Sequence, residues 1–268
     1  MNLFYCKNPT ILEAAAESNF FEENKSFYLS KEASYLQISK YSELTEMCII
    51  YSSDVSESFS YIPDLLDFTF YDTVSSSILG LLENDENFNF IHQSLLSNNF
   101  VNRVVDKIID LRKCQISGNR LGNLYKILVK CAKNDILCKS CQTPSVIEVA
   151  LDINDDDPTC VLNPQWNLIY ELCTTPCFSD HISIIEYAIS IIIPDDYEMY
   201  NEFNVFAIDF ISRTIESNPR FLNDIDVSLL SNIVISIFKS FPNHTIALAS
   251  ASHLATVLLT NGNSVDVA

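Results

Sequence analysis

The feature that most constrains this chain is a helical periodicity that recurs in one apolar segment after another. In the stretch from Phe100 to Leu111, apolar residues recur as adjacent pairs every four positions, and polar residues fill the gaps. That spacing places the apolar side chains on one face of an α-helix. Such a helix must pack its apolar face against neighbours, and no segment shows the alternation of a β-strand. The sequence therefore predicts an all-α fold.

The apolar helices recur at a spacing typical of helical repeats. They begin near Phe100, Val146, Ile182 and Val227, which gives intervals of 46, 36 and 45 residues. Armadillo and HEAT repeats have a period of about 40–47 residues. The spacing predicts an armadillo/HEAT-like helical solenoid with degenerate repeats and a right-handed superhelix. A non-repetitive helical bundle is the alternative.

We predict a single domain over residues 1–268. It comprises an N-terminal helix and connector (1–33), repeats (34–260) and a frayed tail (261–268). A helix starting at Pro194 is predicted to be central, because its residues from Phe203 to Ile211 leave almost no polar face. Fourteen residues are predicted to form the core: Leu81, Leu82, Phe100, Val104, Ile108, Leu124, Leu128, Trp166, Ile185, Ile189, Phe206, Phe210, Leu230 and Ile237.

Composition excludes several classes of protein. The formal net charge of −19 disfavours binding to nucleic acid, whose phosphates would be repelled. The sequence contains no run of eighteen apolar residues, so no membrane-spanning helix is predicted. The first nine residues lack a basic region followed by an apolar run, so no secretory signal is expected. We expect a cytoplasmic protein, with the nucleus as the alternative compartment.

The nine cysteines predict free thiols rather than a metal or redox site. Cys138 and Cys141 have the C-x-x-C spacing, but they lack the βαβ context of a redox motif. Cys173 and Cys177 are separated by three residues, so they do not supply the second pair of a zinc site. We therefore predict no metal.

No motif for catalysis or cofactor binding is found. The four histidines lack the i, i+4 spacing of a helical metal pair, and there is no phosphate-binding loop. The acidic loop 152–157 lacks the glycine and terminal glutamate of a calcium-binding EF-hand. Glu43 and Glu46 lie among apolar residues, but a solvated helix face is the favoured interpretation. We predict no catalytic residue and no cofactor.

Positive charge is concentrated in one part of the chain, here called the basic segment (Arg103–Lys139). It has nine of the 16 lysines and arginines and three aspartates, a net charge of +6. One interpretation is a solvated face of two helices. The other is a docking surface for an acidic peptide, a phosphorylated segment or an acidic domain. The candidate partner-binding residues are Arg103, Lys107, Arg112, Lys113, Arg120, Lys126, Lys130, Lys133 and Lys139.

Several short stretches carry a resemblance to a known family. They are Ile38–Ile49, Ile78–Leu82, Phe90-Ile91, Asn99–Val101, Val105–Ile108 and Phe241–His244. From about Ser34 onward the chain resembles the SAPS family, regulatory subunits associated with protein phosphatase 6. The resemblance implies an armadillo-like fold and a regulatory or scaffolding role. The family's usual members are longer, and no phosphatase-contacting residue can be mapped onto this chain.

These observations together predict a non-enzymatic scaffold or regulatory subunit that binds a protein. The resemblance implies a serine/threonine phosphatase catalytic subunit as that partner. One alternative is a generic helical-repeat adaptor without a phosphatase partner, because a repeat fold alone fixes no function. Another is an enzyme whose Cys/His or carboxylate site is assembled only in the fold. The sequence assigns no oligomeric state.

Overall fold

The computed structural model describes residues 8–18, 20–30, 32–51, 61–116, 118–179, 181–192 and 200–262. These residues form α-helices and short 3₁₀ helices, and none of them lies in a β-strand. The predicted all-α fold is confirmed. The chain divides into two units, Met1–Cys141 (unit 1) and Gln142–Ala268 (unit 2). This division does not decide whether the two units fold together, so the single-domain organisation stays a prediction.

Unit 1 contains eight described α-helices. They are α1 (Pro9–Glu17), α2 (Phe20–Tyr28), α3 (Tyr35–Tyr51), α4 (Asp72–Leu81), α5 (Asn89–Ser97), α6 (Phe100–Lys113), α7 (Asn119–Lys133) and α8 (Cys138–Cys141). Two 3₁₀ helices, Ile62–Phe68 and Glu86–Phe88, precede α4 and α5. The predicted N-terminal helix and connector therefore contains two helices, α1 and α2. Helix α4 packs against α3 and α7, and α6 packs against α7.

Unit 2 contains six described α-helices. They are α9 (Pro144–Leu151), α10 (Thr159–Leu172), α11 (His181–Ile192), α12 (Glu202–Ser217), α13 (Val227–Ser240) and α14 (Thr245–Gly262). Helix α12 packs against both α10 and α14. Helix α11 packs on α12, and α13 packs on α14. Because α14 ends at Gly262, it extends two residues past the predicted end of the repeats, and residues 263–268 lie outside the described part.

The predicted start of the central helix was wrong. Helix α12 begins at Glu202, after Asn201 in extended conformation, and Pro194 lies outside the described residues. The Asn201 and Asn204 side chains form a capping box, in which the Asn201 N–H donates to Asn204 Oδ1 at 2.8 Å. Such a box satisfies backbone N–H groups that have no partner in the first turn. The two asparagines indicate the start of the helix in the sequence, but the prediction placed that start at Pro194.

The predicted core is confirmed at thirteen of its fourteen positions. The exception is Phe206, which is partly exposed, whereas Phe210 one turn later is fully buried. Phe210 packs edge-on against Trp166, with ring centroids 6.2 Å apart. Phe206 shares the more exposed side of α12 with Asp209 and with the partly exposed side chain of Arg213. Helix α12 therefore has a polar side, which the nearly continuous apolar sequence from Phe203 to Ile211 did not indicate.

Gly80 of α4 lies close to the carboxyl group of Glu46 on α3. A methyl group at this position would lie 2.9 Å from Glu46 Oε1. Glu46 is half-buried there, and burial raises the pKa of its carboxyl above the ordinary value. The favoured interpretation of Glu46 as part of a solvated face was therefore wrong, because α4 covers that side of α3.

A buried polar network joins the ends of α4, α5 and α7. His92 on α5 is 2% exposed, and its Nε2 lies 2.8 Å from the carbonyl oxygen of Leu81. The Asn134 amide donates to His92 Nδ1 at 3.2 Å. Because the carbonyl oxygen of Leu81 can only accept, neutral His92 holds its proton on Nε2 and donates it to Leu81, which leaves Nδ1 as an acceptor for Asn134. Burial lowers the pKa of His92.

We expect the two phenylalanines of α12 to differ in their contribution to stability. Phe210→Ala should lower the free energy of unfolding by about 3–5 kcal/mol, as for other buried phenylalanines. Phe206→Ala should cost about 1 kcal/mol, because its ring is already in contact with water. Urea unfolding of both variants measures the difference. Equal losses would contradict the assignment of Phe206 to the exposed side.

Stability should fall in mild acid because of His92. Its pKa in the folded protein is lowered, so below about pH 6.5 the unfolded chain takes up a proton that the folded chain does not. The stability that comes from keeping His92 neutral is therefore complete above about pH 6.5 and is lost as the pH falls below it. Urea unfolding at about pH 7 and pH 5.5 should show a larger loss for the parent protein than for His92→Gln, which cannot titrate. Equal losses would show that His92 is not buried in its neutral form.

Candidate functional site

The nine predicted partner-binding residues lie on α6, α7 and α8 of unit 1. Helix α6 carries Arg103, Lys107, Arg112 and Lys113, helix α7 carries Arg120, Lys126, Lys130 and Lys133, and α8 carries Lys139. On α7, Lys126, Lys130 and Lys133 lie opposite the main apolar side. The Nε atoms of Arg112 and Arg120, by contrast, are buried.

Three of these residues converge on two aspartates from elsewhere in the chain. Asp64 and Asp67 belong to the 3₁₀ helix Ile62–Phe68, which packs against α6. Lys107 Nζ lies 2.5 Å from Asp67 Oδ1, and Arg120 Nη2 lies 3.7 Å from the same oxygen. Arg103 Nη1 lies 3.6 Å from Asp64 Oδ1. Part of the positive charge counted in the basic segment is thus neutralised by acids outside it.

Other members of the basic segment have different partners. Lys130 Nζ lies 2.5 Å from Glu83 Oε1. The Arg112 guanidinium lies 5.8 Å from the ring centroid of Tyr125 and donates to its hydroxyl at 3.3 Å. Lys126 is exposed. The remaining lysines, Lys113, Lys133 and Lys139, are also exposed. The structure therefore brings Arg103, Lys107 and Arg120 together, and it does not unite all nine residues in one cluster.

A cleft of about 650 Å³ opens beside the two aspartates. Asp64 and Asp67 line it, together with Lys25 of α2. We call it the aromatic–arginine cleft and define it by Leu29, Ile38, Phe68, Phe70, Tyr71 and Arg120, which also line it. Its volume is in the range of cavities that bind ligands or side chains of a partner.

The aromatic residues of this cleft form a continuous and partly exposed surface. The ring centroids of Phe70 and Tyr71 are 4.1 Å apart, and Tyr71 lies 4.8 Å from Tyr35. Phe70 is 45% exposed and Tyr35 51% exposed, so both rings are in contact with water. The Arg120 guanidinium lies 5.8 Å from the ring centroid of Phe70. Large rings left at the surface beside an arginine are typical of binding surfaces.

Sequence analysis missed these aromatic residues. Phe68 ends the 3₁₀ helix, and Phe70 and Tyr71 follow it closely, so the density of aromatic residues was the available signal. Tyr35 lies far away in sequence, at the start of α3, and only the packing of α3 on α4 brings it close.

A second cavity, in unit 2, bears on the hypothesis of an enzyme assembled in the fold. It has a volume of about 320 Å³ and is lined by Tyr170, Asp209, Arg213, Glu216 and His253. His253 Nε2 lies 3.0 Å from Glu216 Oε1, but both side chains are about half exposed. Burial raises the pKa of Asp209. A general acid–base site gains most from groups that are shielded from water, and this histidine–carboxylate pair is not.

The described cysteines are free, and Cys6 lies outside the described residues. Burial raises the pKa of Cys141 to about 12 and that of Cys173 to about 11. Both are therefore protonated thiols at neutral pH, and a thiol is a weaker nucleophile than a thiolate. Within the described ranges, no three His, Cys, Asp or Glu side chains are grouped so that they could hold a metal ion.

Comparison with known protein families, with curated proteins and with solved structures finds no significant match. The resemblance to the SAPS family therefore rests on the residues quoted above. Among the helices that the structure describes, none has the length and apolar character needed to cross a membrane.

The ion pairs around Asp67 should contribute little to stability. Asp67→Asn removes the negative charge that Lys107 and Arg120 share, but the Asp67 side chain is 52% exposed. We expect a loss of about 1 kcal/mol or less in the free energy of unfolding at low salt, since exposed pairs are screened by water. Urea unfolding at low and high salt measures it, and the loss should shrink at high salt. A loss that is large and independent of salt would contradict this.

Proposed function

We propose that this chain is a non-enzymatic helical scaffold that binds a protein partner, and that the partner is a serine/threonine phosphatase catalytic subunit. The observation that carries protein binding is the composition of the aromatic–arginine cleft. Tyrosine and arginine are enriched among the residues that contribute most to protein–protein affinity. Here Tyr71 and Arg120 line one cleft, with Tyr35 in contact with Tyr71.

We further propose that the helices form an armadillo/HEAT-like solenoid. The packing of unit 2 supports this, because α10, α12 and α14 lie side by side while α11 and α13 each pack on the helix that follows. Stacked helix pairs of this kind are the building principle of helical-repeat proteins. Such proteins present extended surfaces to other macromolecules, which agrees with a scaffolding role.

The phosphatase is supported by the family resemblance alone. If the resemblance does not extend to function, the chain is an adaptor for another protein, and the cleft would serve that partner equally. An enzymatic function has the least support, because the histidine–carboxylate pair of unit 2 is half exposed. The proposed role places the chain in the cytoplasm or nucleus.

Affinity purification of the tagged full chain from cell extract tests the proposal. We expect a serine/threonine phosphatase catalytic subunit to copurify, and we expect the purified chain to show no phosphatase activity by itself. The double variant Lys126→Glu, Lys130→Glu should reduce this capture and weaken its dependence on salt, because charges around an interface mainly govern the association rate. Its thermal stability should change little, since the pair of Lys130 with Glu83 is partly exposed.

The matched control is Arg220→Glu, Lys239→Glu, which makes the same change in net charge at two exposed positions of unit 2. It should leave capture unchanged. Equal loss in both double variants would indicate a general effect of charge rather than a role for the basic segment. Absence of any phosphatase would leave only the adaptor hypothesis.

A further inference from the structure

We infer that the aromatic–arginine cleft binds a short segment of the partner in which an apolar side chain neighbours a single carboxylate. This inference rests on the proposed function, since it specifies the chemistry of the bound partner. It is carried by the partly exposed side chain of Arg120, by the local balance of charge and by the apolar part of the cleft lining.

The Arg120 side chain lines the cleft and is 29% exposed. Its Nε atom is buried and has no hydrogen-bond acceptor among the described residues. The Asp67 carboxylate is 3.7 Å from Nη2, too far for a good hydrogen bond, and the same oxygen is 2.5 Å from Lys107. An arginine fork matches a carboxylate in a bidentate arrangement. A carboxylate from the partner would therefore give the Nη groups a closer acceptor than Asp67, whereas the buried Nε lies out of its reach.

The aromatic rim holds Arg120 in position for that contact. Its guanidinium lies 5.8 Å from the ring centroid of Phe70, within the range of a cation–π interaction. Because the guanidinium is already held by the ring and by Asp67, less side-chain entropy would be lost on binding.

The local charge selects a single carboxylate over a phosphate group. Four cations and three carboxylates form two separate sets of ion pairs, and the set around Asp67 has an excess of one positive charge. A carboxylate from the partner neutralises that excess. A phosphate monoester brings about −1.5 to −2 charges and would be repelled by the aspartates already present. The neutral set consists of Glu22, Lys25, Asp64 and Arg103, and the set with the excess charge consists of Asp67, Lys107 and Arg120.

The apolar part of the cleft lining favours an apolar residue beside the carboxylate of the partner. Leu29, Ile38 and Phe68 line it, and Phe70 and Tyr71 extend the apolar surface beside Arg120. A volume of about 650 Å³ can hold one or two large side chains. Burial of an apolar side chain is favourable in proportion to the area removed from water. The apolar contact would supply affinity, and the contact with Arg120 would supply specificity.

Selection from a random peptide library displayed on phage, with the full chain as bait, tests this inference. We expect enriched peptides to carry Asp or Glu beside a large apolar residue. A fluorescein-labelled synthetic form of the most enriched peptide then serves as the probe in anisotropy titrations. Arg120→Glu should weaken binding by roughly tenfold or more, because it replaces attraction by repulsion. Replacing the acidic residue of the probe by Lys should restore part of the affinity for that variant.

Three further measurements make the result decisive. Arg220→Glu has the same change of charge at an exposed position of unit 2 that does not line the cleft, and it should bind the probe as the parent does. Phe70→Ser should weaken binding of the probe. Arg120→Gln removes the cation without introducing repulsion, and it should weaken binding as well. Thermal unfolding of each variant identifies any loss that comes from misfolding.

The inference is overturned if selection enriches no acidic residue, or if correctly folded Arg120→Glu and Arg120→Gln bind the probe as tightly as the parent. Tighter binding of a probe with phosphoserine in place of the acidic residue would overturn the choice of a carboxylate. Peptide binding without phosphatase capture would support the cleft and reject the proposed partner. Phosphatase capture unaffected by a competing excess of the probe would reject the cleft and retain the partner.

Discussion

The structure depends above all on burial of the apolar side of each helix against its neighbours. Helix α12 illustrates this, because it contacts α10, α11 and α14 and contributes Phe210 to a contact with Trp166 of α10. Both of these aromatic side chains are completely buried. A short amphipathic helix has little stability in isolation, so its formation and its packing occur together. The polar sides that remain at the surface are then free to differ between helices, and the candidate site lies on such a surface.

How far the sequence predicts this molecule can be judged from particular residues. Helical periodicity reports which side chains share a face, so it correctly placed Val104 and Ile108 in the core. It does not report how wide the buried face is, and Phe206 was therefore misassigned. The width depends on which helices pack against α12, and that is set by tertiary contacts. Capping by Asn201 is local and could have been recognised in the sequence.

The candidate site was predicted only in part, for a similar reason. The basic segment was visible as a local excess of charge, and Arg103, Lys107 and Arg120 do lie at the site. Their acidic partners, Asp64 and Asp67, lie far from them in sequence, and Asp67 and Lys107 are 40 residues apart. A local count of charge therefore does not include these aspartates. Tyr35 and Tyr71, whose rings are in contact, are separated by a similar interval in the sequence. Ion pairs and aromatic contacts between distant segments are properties of the fold.

The charge of the whole chain constrains how an acidic partner could be recognised. Unit 2 has 17 acidic and three basic residues, a net charge of −14, and unit 1 has a net charge of −5. Long-range electrostatics therefore repel an acidic segment, and they are screened beyond about 8 Å at physiological ionic strength. Attraction must come from contacts at short range. The partly exposed rings beside Arg120 can provide them, because apolar burial and a bidentate hydrogen bond act over only a few ångströms. In an acidic protein, a carboxylate-binding cleft has to combine a cation with an apolar surface, and unit 1 places the two together.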